Sequence, residues 1–170
     1  MDDAARVRDF LGQGGADHRG RTLMEILGWP DARLEGEHDF IQWLFPLDTP
    51  SPVNPHAPVP SRAAFAALAR DAAVLEGSRA AFARMLAFYG LRREEAEGGV
   101  AKAATWNGKD WAQHATHNDL RLTRILRSLT LLGLRDEAHA LLAALEALLL
   151  ECRGAQRAQV PLGYWREAVR

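Results

Sequence analysis

The sequence predicts an all-α, single-domain bundle of about six or seven helices crossed by a proline-rich strap. Three observations predict it. Apolar residues recur at three- and four-residue intervals along most of the chain. No run alternates β-branched and aromatic residues with period two. Gly, Pro, Ser, Thr and Asn stand where helices of that length would start and stop. A chain of 170 residues can bury roughly 70% of its unfolded surface, so its core needs no covalent staples.

The first 20 residues are polar and carry a Gly14-Gly15 break, which reads as one short helix and a loop. Thr22 and Glu25 form a T-x-x-E capping box ahead of Ile26 and Leu27, and Gly28 stops that helix. Pro30 and Asp31 suit the first turn of the next one. Leu34, His38, Ile41 and Phe45 then share one helical face, with Phe40, Trp43 and Leu44 covering most of the remainder. The spacing thus predicts one buried helix up to Pro46, with His38 on its core side.

Six of the eight prolines fall between Pro46 and Pro60. No helix survives there. The segment could be a docking strip for a proline-binding module; stiffness alone explains the composition, so a rigid connector is the reading adopted. Ser61 caps a helix carrying Phe65, Leu68, Ala72 and Leu75, which Gly77 should end. Ser78 should cap another bearing Phe82, Met85, Leu86 and Tyr89, closed by Gly90. A helical turn over Glu94 to Glu97 and a loop from Trp106 to Trp111 follow. Asn118 is the expected cap of a helix burying Leu122, Ile125, Leu126, Leu129 and Leu132, ended by Gly133. A last long helix runs from Asp136 to about Cys152, with Gly154 behind it, and Pro161 to Val169 is a short helix or tail. The expected divisions are residues 1–20, a helical domain over 21–154 and a C-terminal piece over 155–170.

Composition excludes several classes. Basic and acidic residues number 21 and 22, so the chain has no general basic coat for nucleic acid. The charge is uneven: residues 1–60 hold five arginines and ten carboxylates. Cys152 is the sole cysteine, which rules out an intramolecular disulfide and a multi-thiolate zinc site. The start lacks the apolar core of a secretory signal, and no apolar stretch is long enough to span a bilayer. A cytoplasmic location is therefore expected. Nineteen of the 21 basic residues are arginine; with the abundant alanine, this suits a GC-rich bacterial genome.

Few residues suggest chemistry. His38 and Gln42 lie one turn apart and could hold a ligand or a metal; a core histidine bonded to a backbone carbonyl or a neighbouring side chain is the reading adopted. His114, His117 and Asp119 resemble a metal string only faintly, because no further ligand follows. Arg121, Arg124 and Arg127 lie behind a helix start, where an anion could bind. Internal pairing with Glu35, Glu37 and Asp39, or plain solvation, also explains them and is the reading adopted. No nucleophile elbow, P-loop or dinucleotide fingerprint is present.

Four blocks resemble a known family. They are Leu34-Glu35 followed by His38-Asp39-Phe40-Ile41-Gln42-Trp43-Leu44-Phe45-Pro46, then Asn54-Pro55-His56-Ala57-Pro58, then Met85 to Leu91, and then His117 to Leu129. In this order they are similar to the opioid growth factor receptor conserved region, over about residues 21 to 140 of a bacterial-type short member. The resemblance implies association with an enkephalin growth-regulating peptide and with the nucleus in animals. The bacterial composition argues against an opioid ligand here. No catalytic residue carries over from the resemblance.

The expectation is a non-enzymatic module that binds a peptide, a protein or a small anionic ligand, without cofactor or metal. Its expected site residues are His38, Gln42, Trp43, His117, Asn118, Arg121 and Arg124, sharing a pocket or polar core. The alternatives are an enzyme on a phosphate-bearing substrate with His38 or His117 as acid or base, and nucleic-acid binding through the arginine face, which the charge balance disfavours.

Overall fold

The computed structural model describes residues 1–94 and 98–170. Nine helices and one two-stranded hairpin are found among them: α1 (Asp3–Gly12), α2 (Leu23–Leu27), α3 (Asp31–Gly36), α4 (Ile41–Leu44), α5 (Arg62–Leu68), α6 (Ala72–Phe88), β1 (Leu91–Arg93), β2 (Val100–Lys102), α7 (Asp110–Gln113), α8 (His117–Leu131) and α9 (Arg135–Ala168). The protein is mostly helical. The hairpin departs from the all-α expectation: Leu91 pairs with Lys102 and Arg93 with Val100, antiparallel. Three residues per strand are too few to show a period. The turn expected over Glu94 to Glu97 falls on residues 95–97, outside the described residues.

The chain forms two compact units. Unit 1 comprises residues 1–84 and 131–133; unit 2 comprises 85–130 and 134–170. In unit 1, α1 begins at Asp2, whose carboxylate accepts the Ala5 N–H. Its apolar side, Val7, Phe10 and Leu11, is buried, and α1 packs against α4 and α5. The capping box at α2 forms as the sequence predicts, with Thr22 and Glu25 bonding reciprocally. Arg84 then ties α2 to α3 by donating to the carbonyls of Leu27 and Trp29 and to the Asp31 carboxylate.

The buried helix expected from Pro30 to Pro46 is two short ones. Glu37, at ψ 141°, is extended and ends α3 after Gly36, and α4 restarts at Ile41. His38 falls in the interruption and is exposed, not on a core face. Its four-residue spacing from Leu34 is a coincidence of pattern, because the backbone between them is not helical throughout.

The strap over residues 46–60 contains no helix. Bonds that hold it to the rest of unit 1 include Asn54 Nδ2 donating to Asp39 O (2.7 Å), Arg6 donating to His56 O (2.6 Å), and Val59 N donating to Asp3 Oδ2 (2.9 Å). Ser61 caps α5 through the Ala64 N–H. The next boundary differs from the expected one. The Asp71 carboxylate accepts the N–H groups of Ala73 and Val74, so α6 starts there and runs on through Gly77 and Ser78. Gly77 is an approach point: a Cβ there would press into the Leu11 carbonyl oxygen of α1. Ser78 spends its hydroxyl on Val74 O (2.8 Å), and so is satisfied inside the helix.

In unit 2, Gly90 ends α6 with φ at 74° and opens the hairpin. Leu122, Ile125, Leu126 and Leu129 of α8 and Leu141, Leu145 and Leu149 of α9 are buried. Gly133, at φ 75°, follows α8, and Leu134 N donates to Leu129 O (2.8 Å). At Gly154 (φ 75°, ψ 163°) α9 leaves helical geometry and then resumes through Pro161 to Ala168. The resumed segment buries Leu162 and Trp165. No helix among the described residues is long and apolar enough to cross a membrane.

Candidate functional site

Unit 1 contains an open cleft of about 310 Å³ lined by Met1, Arg6, Asp9, Ala16, Asp17, His18 and Trp43. Four pieces of chain build it: Met1 ahead of α1, α1 itself, the loop after it, and α4. The loop is closed by a bridge between Ala16 and Thr22. Within it the buried Asp17 carboxylate accepts from the Arg19 and Arg21 N–H groups and from Arg21 Nε at 2.7 Å. This local turn fixes where His18 stands.

His18 is the organising group. Its imidazole is 17% exposed. The Trp43 indole N–H donates to His18 Nδ1 (3.1 Å), so the ring proton sits on Nε2, which faces Asp39 Oδ2 at 3.5 Å. The ring lies nearly coplanar with Trp43, edge to edge through that bond (6.1 Å between centroids, 8° between planes), and stacks on His56 of the strap (5.1 Å, 17°). Burial pushes the His18 pKa below its ordinary value, and Arg21 and His56 add to this; Asp17 and Asp39 oppose it and are outweighed. Trp43 itself is 3% exposed, with Phe10 tilted against it and the Arg6 guanidinium 4.9 Å from its ring centre. Arg6 is further engaged by Asp3 Oδ1 (2.7 Å) and His56 O.

Behind the cleft lies an ion network. Asp39 takes Arg21 at 2.9 Å and Arg19 at 3.1 Å, and Glu37 lies 3.5 Å from Arg19. Burial alone would raise the Asp39 carboxyl, but the two arginines overcome it and hold it below the usual carboxylate range. The arrangement fixes shape and charge. His18 Nδ1 is taken by the Trp43 N–H, and among the described residues no group of three or more His, Cys, Asp or Glu is disposed to hold a metal ion.

Of the residues expected from the sequence, Trp43 lines this cleft. Gln42 is buried beside it and donates Nε2 to His38 O (3.1 Å), steadying the break before α4. The other four stand in unit 2, at the start of α8. His117 is the first residue of that helix and is exposed. Asn118 is not the cap: it is the second helical residue, its N–H is accepted by Thr116 Oγ1 (3.1 Å), and its buried side chain accepts the Tyr89 hydroxyl at 3.3 Å. Arg121 is buried, and Arg124 and Arg127 are half-buried. Loss of solvent pulls the Arg124 guanidinium down to about 10. The run is therefore not an exposed basic stripe.

The sequence reading missed two groups. His18 lies in a polar loop with no periodicity to mark it. Arg153 of α9 is 8% exposed and donates to the carbonyls of Ala112, Trp111 and His114 and to both oxygens of Asp119. Trp165 Nε1 adds a bond to Asp119 O (3.1 Å). Asp119 in α8 thus joins both segments of α9.

The fold defines a mostly helical protein with one small hairpin and a pre-ordered aromatic cleft in its first unit. The chain belongs to the opioid growth factor receptor family: the family's conserved-region model matches residues 26–170. It is 36% identical to the mouse opioid growth factor receptor over 157 residues, which is 89% of this chain and 25% of the relative. To the human opioid growth factor receptor it is 39% identical over 106 residues, 59% of this chain and 15% of that one. The mouse opioid growth factor receptor-like protein 1 is 33% identical over 102 residues, 59% of this chain and 22% of its own. The chain spans about a quarter or less of these relatives. No solved structure matches it.

Proposed function

We propose that the chain is a non-enzymatic binding module whose ligand is a peptide seated in the cleft of unit 1. The observation that supports this best is the cleft itself: an open volume of about 310 Å³ whose Trp43, His18 and Arg6 are already fixed by internal bonds. Preorganised aromatic and charged walls suit recognition, because little ordering entropy is left to lose on binding. The same fixing commits His18 Nδ1 to the Trp43 N–H, which supports a positioning role for that atom over proton transfer. Several relatives bear the name of a growth factor receptor, and that name accords with a ligand-binding role.

Trp43 is assigned ligand contact. His38, Gln42, His117, Asn118, Arg121 and Arg124 form a second set of substitutions, which would bear on a small anion or a protein partner instead. The cytoplasm is the proposed location. The test is selection of a random-peptide display library on the immobilised full chain, followed by NMR of the labelled chain with the enriched peptides. Binding peptides should move the Trp43 indole and His18 imidazole signals, and His18→Asn should weaken them by about tenfold. The reading fails if no peptide is enriched over an unrelated helical protein, or if enriched peptides leave those two signals still.

A further inference from the structure

Every charged side chain on the cleft wall but one has an internal partner. Asp17 is held by Arg21. Arg6 is held by Asp3 and lies over Trp43. His18 is neutral by its bond from Trp43 and faces Asp39. The exception is Asp9. Its half-buried carboxylate lines the cleft and, among the described residues, is joined to no Lys, Arg or His, and to no chain-terminal ammonium, although Met1 lines the same space.

Its placement goes against helix electrostatics. Asp9 sits in the last turn of α1, which carries no basic residue, and its own carbonyl already accepts from Gln13 N (3.0 Å) and Gly15 N (2.9 Å). A helix C-terminus presents partial negative charge and ordinarily gathers Lys, Arg or His. Here a carboxylate is added to that charge. Gly15 makes room for it, since a Cβ at residue 15 would occupy the carboxylate's position. A local rule broken with no internal compensation marks a place where something external supplies it.

We infer that the cleft takes an organic cation, the ammonium or guanidinium of a peptide, on the Asp9 carboxylate beside Trp43 and His18. This rests on the reading of the cleft as a peptide seat. The cation meets a full carboxylate charge and the negative end of α1 together. The indole and imidazole edges cover the apolar stem that carries it. Arg6, one turn before Asp9 on α1, is already committed to Asp3 and to His56 O.

The test uses the labelled full chain titrated with short amidated peptides of alanine: one acetylated with a central lysine, one with a free amino terminus and no lysine, one acetylated with a central glutamine, and one acetylated with a central glutamate. The lysine peptide, the free-amine peptide or both should move the Asp9 to Asp17 and Trp43 signals saturably, and the effect should weaken with added salt. Response to the lysine peptide alone names a side chain as the source; response to the free amine alone names a peptide terminus. Asp9→Asn should weaken binding by about tenfold or more, and Asp9→Glu should retain most of it. The inference is overturned if the glutamine or glutamate peptide binds as well as the charged ones, or if Asp9→Asn binds like the parent chain. It is also overturned if no peptide moves the signals. In each case the cleft reading is decided separately by the library peptides.

Discussion

Burying a guanidinium is costly unless its N–H groups find acceptors, and Arg153 meets that condition through three carbonyls and both oxygens of one carboxylate. Removing it strands Asp119 and three carbonyls at once. Arg153→Ala should cost about 3–5 kcal/mol in urea-denaturation stability. Arg153→Lys should recover only part, because a single ammonium cannot span the set. His18 makes a different demand. Its pKa is depressed in the fold, chiefly by burial, so the unfolded chain binds its proton first. The stability it allows is complete above the ordinary value of 6.5 and declines as pH falls below that. Thermal melting of the parent chain should show this decline between pH 7 and about 5, and His18→Asn should flatten it.

Among the elements, α6 depends on one missing side chain. Gly77→Ala would gain helix propensity of about 1 kcal/mol, yet the added methyl meets the Leu11 carbonyl. The clash should win, with a net loss of about 1–3 kcal/mol, measurable by denaturation and by lost exchange protection in α1. The same glycine shows where the sequence stops being readable. Capping boxes, proline breaks and the leucine faces of α8 and α9 are local, so Thr22, Ser61 and Leu122 announce themselves. Gly77 serves a neighbour 66 positions away, and nothing adjacent to it says so; Gly77-Ser78 therefore reads as a stop. His38 misleads in the opposite way, since its spacing fits a helix that Glu37 interrupts. Of the cleft, Trp43 is legible as an aromatic on a short buried helix. His18 and Asp9 are not. Their roles arise from the turn around Asp17 and from the end of α1, and neither leaves a pattern.

On the scale of the whole molecule, charge is distributed between two units that each carry a core. Among the described residues, the carboxyls held below their ordinary range, Asp3, Glu25, Asp39 and Asp71, all belong to unit 1. At Asp3 burial opposes the shift, and the Val59 N–H and Arg6 outweigh it; at Asp71 the leading cause is Arg8. Groups of this kind contribute stability above the unfolded value and lose it as pH falls through the lower folded value. For the aspartates that window opens near 3.8 and extends downward. Hydrogen exchange on acidification below that pH should therefore expose α1 and α2 before α8 and α9. Uniform loss across both units would contradict it.

The position of Met1 on the cleft wall has a practical side for anyone handling the protein. Residues fused ahead of it emerge at the mouth of the cavity, where a flexible tag becomes a tethered competitor at high effective concentration. A polyhistidine or lysine-rich leader, carrying positive charge beside Asp9, would occupy the same space as a weak ligand and mask it. Removing the leader by proteolysis ends that competition, and the difference in apparent affinity between the tagged and cleaved forms is itself a measure of how readily the cavity is filled from outside.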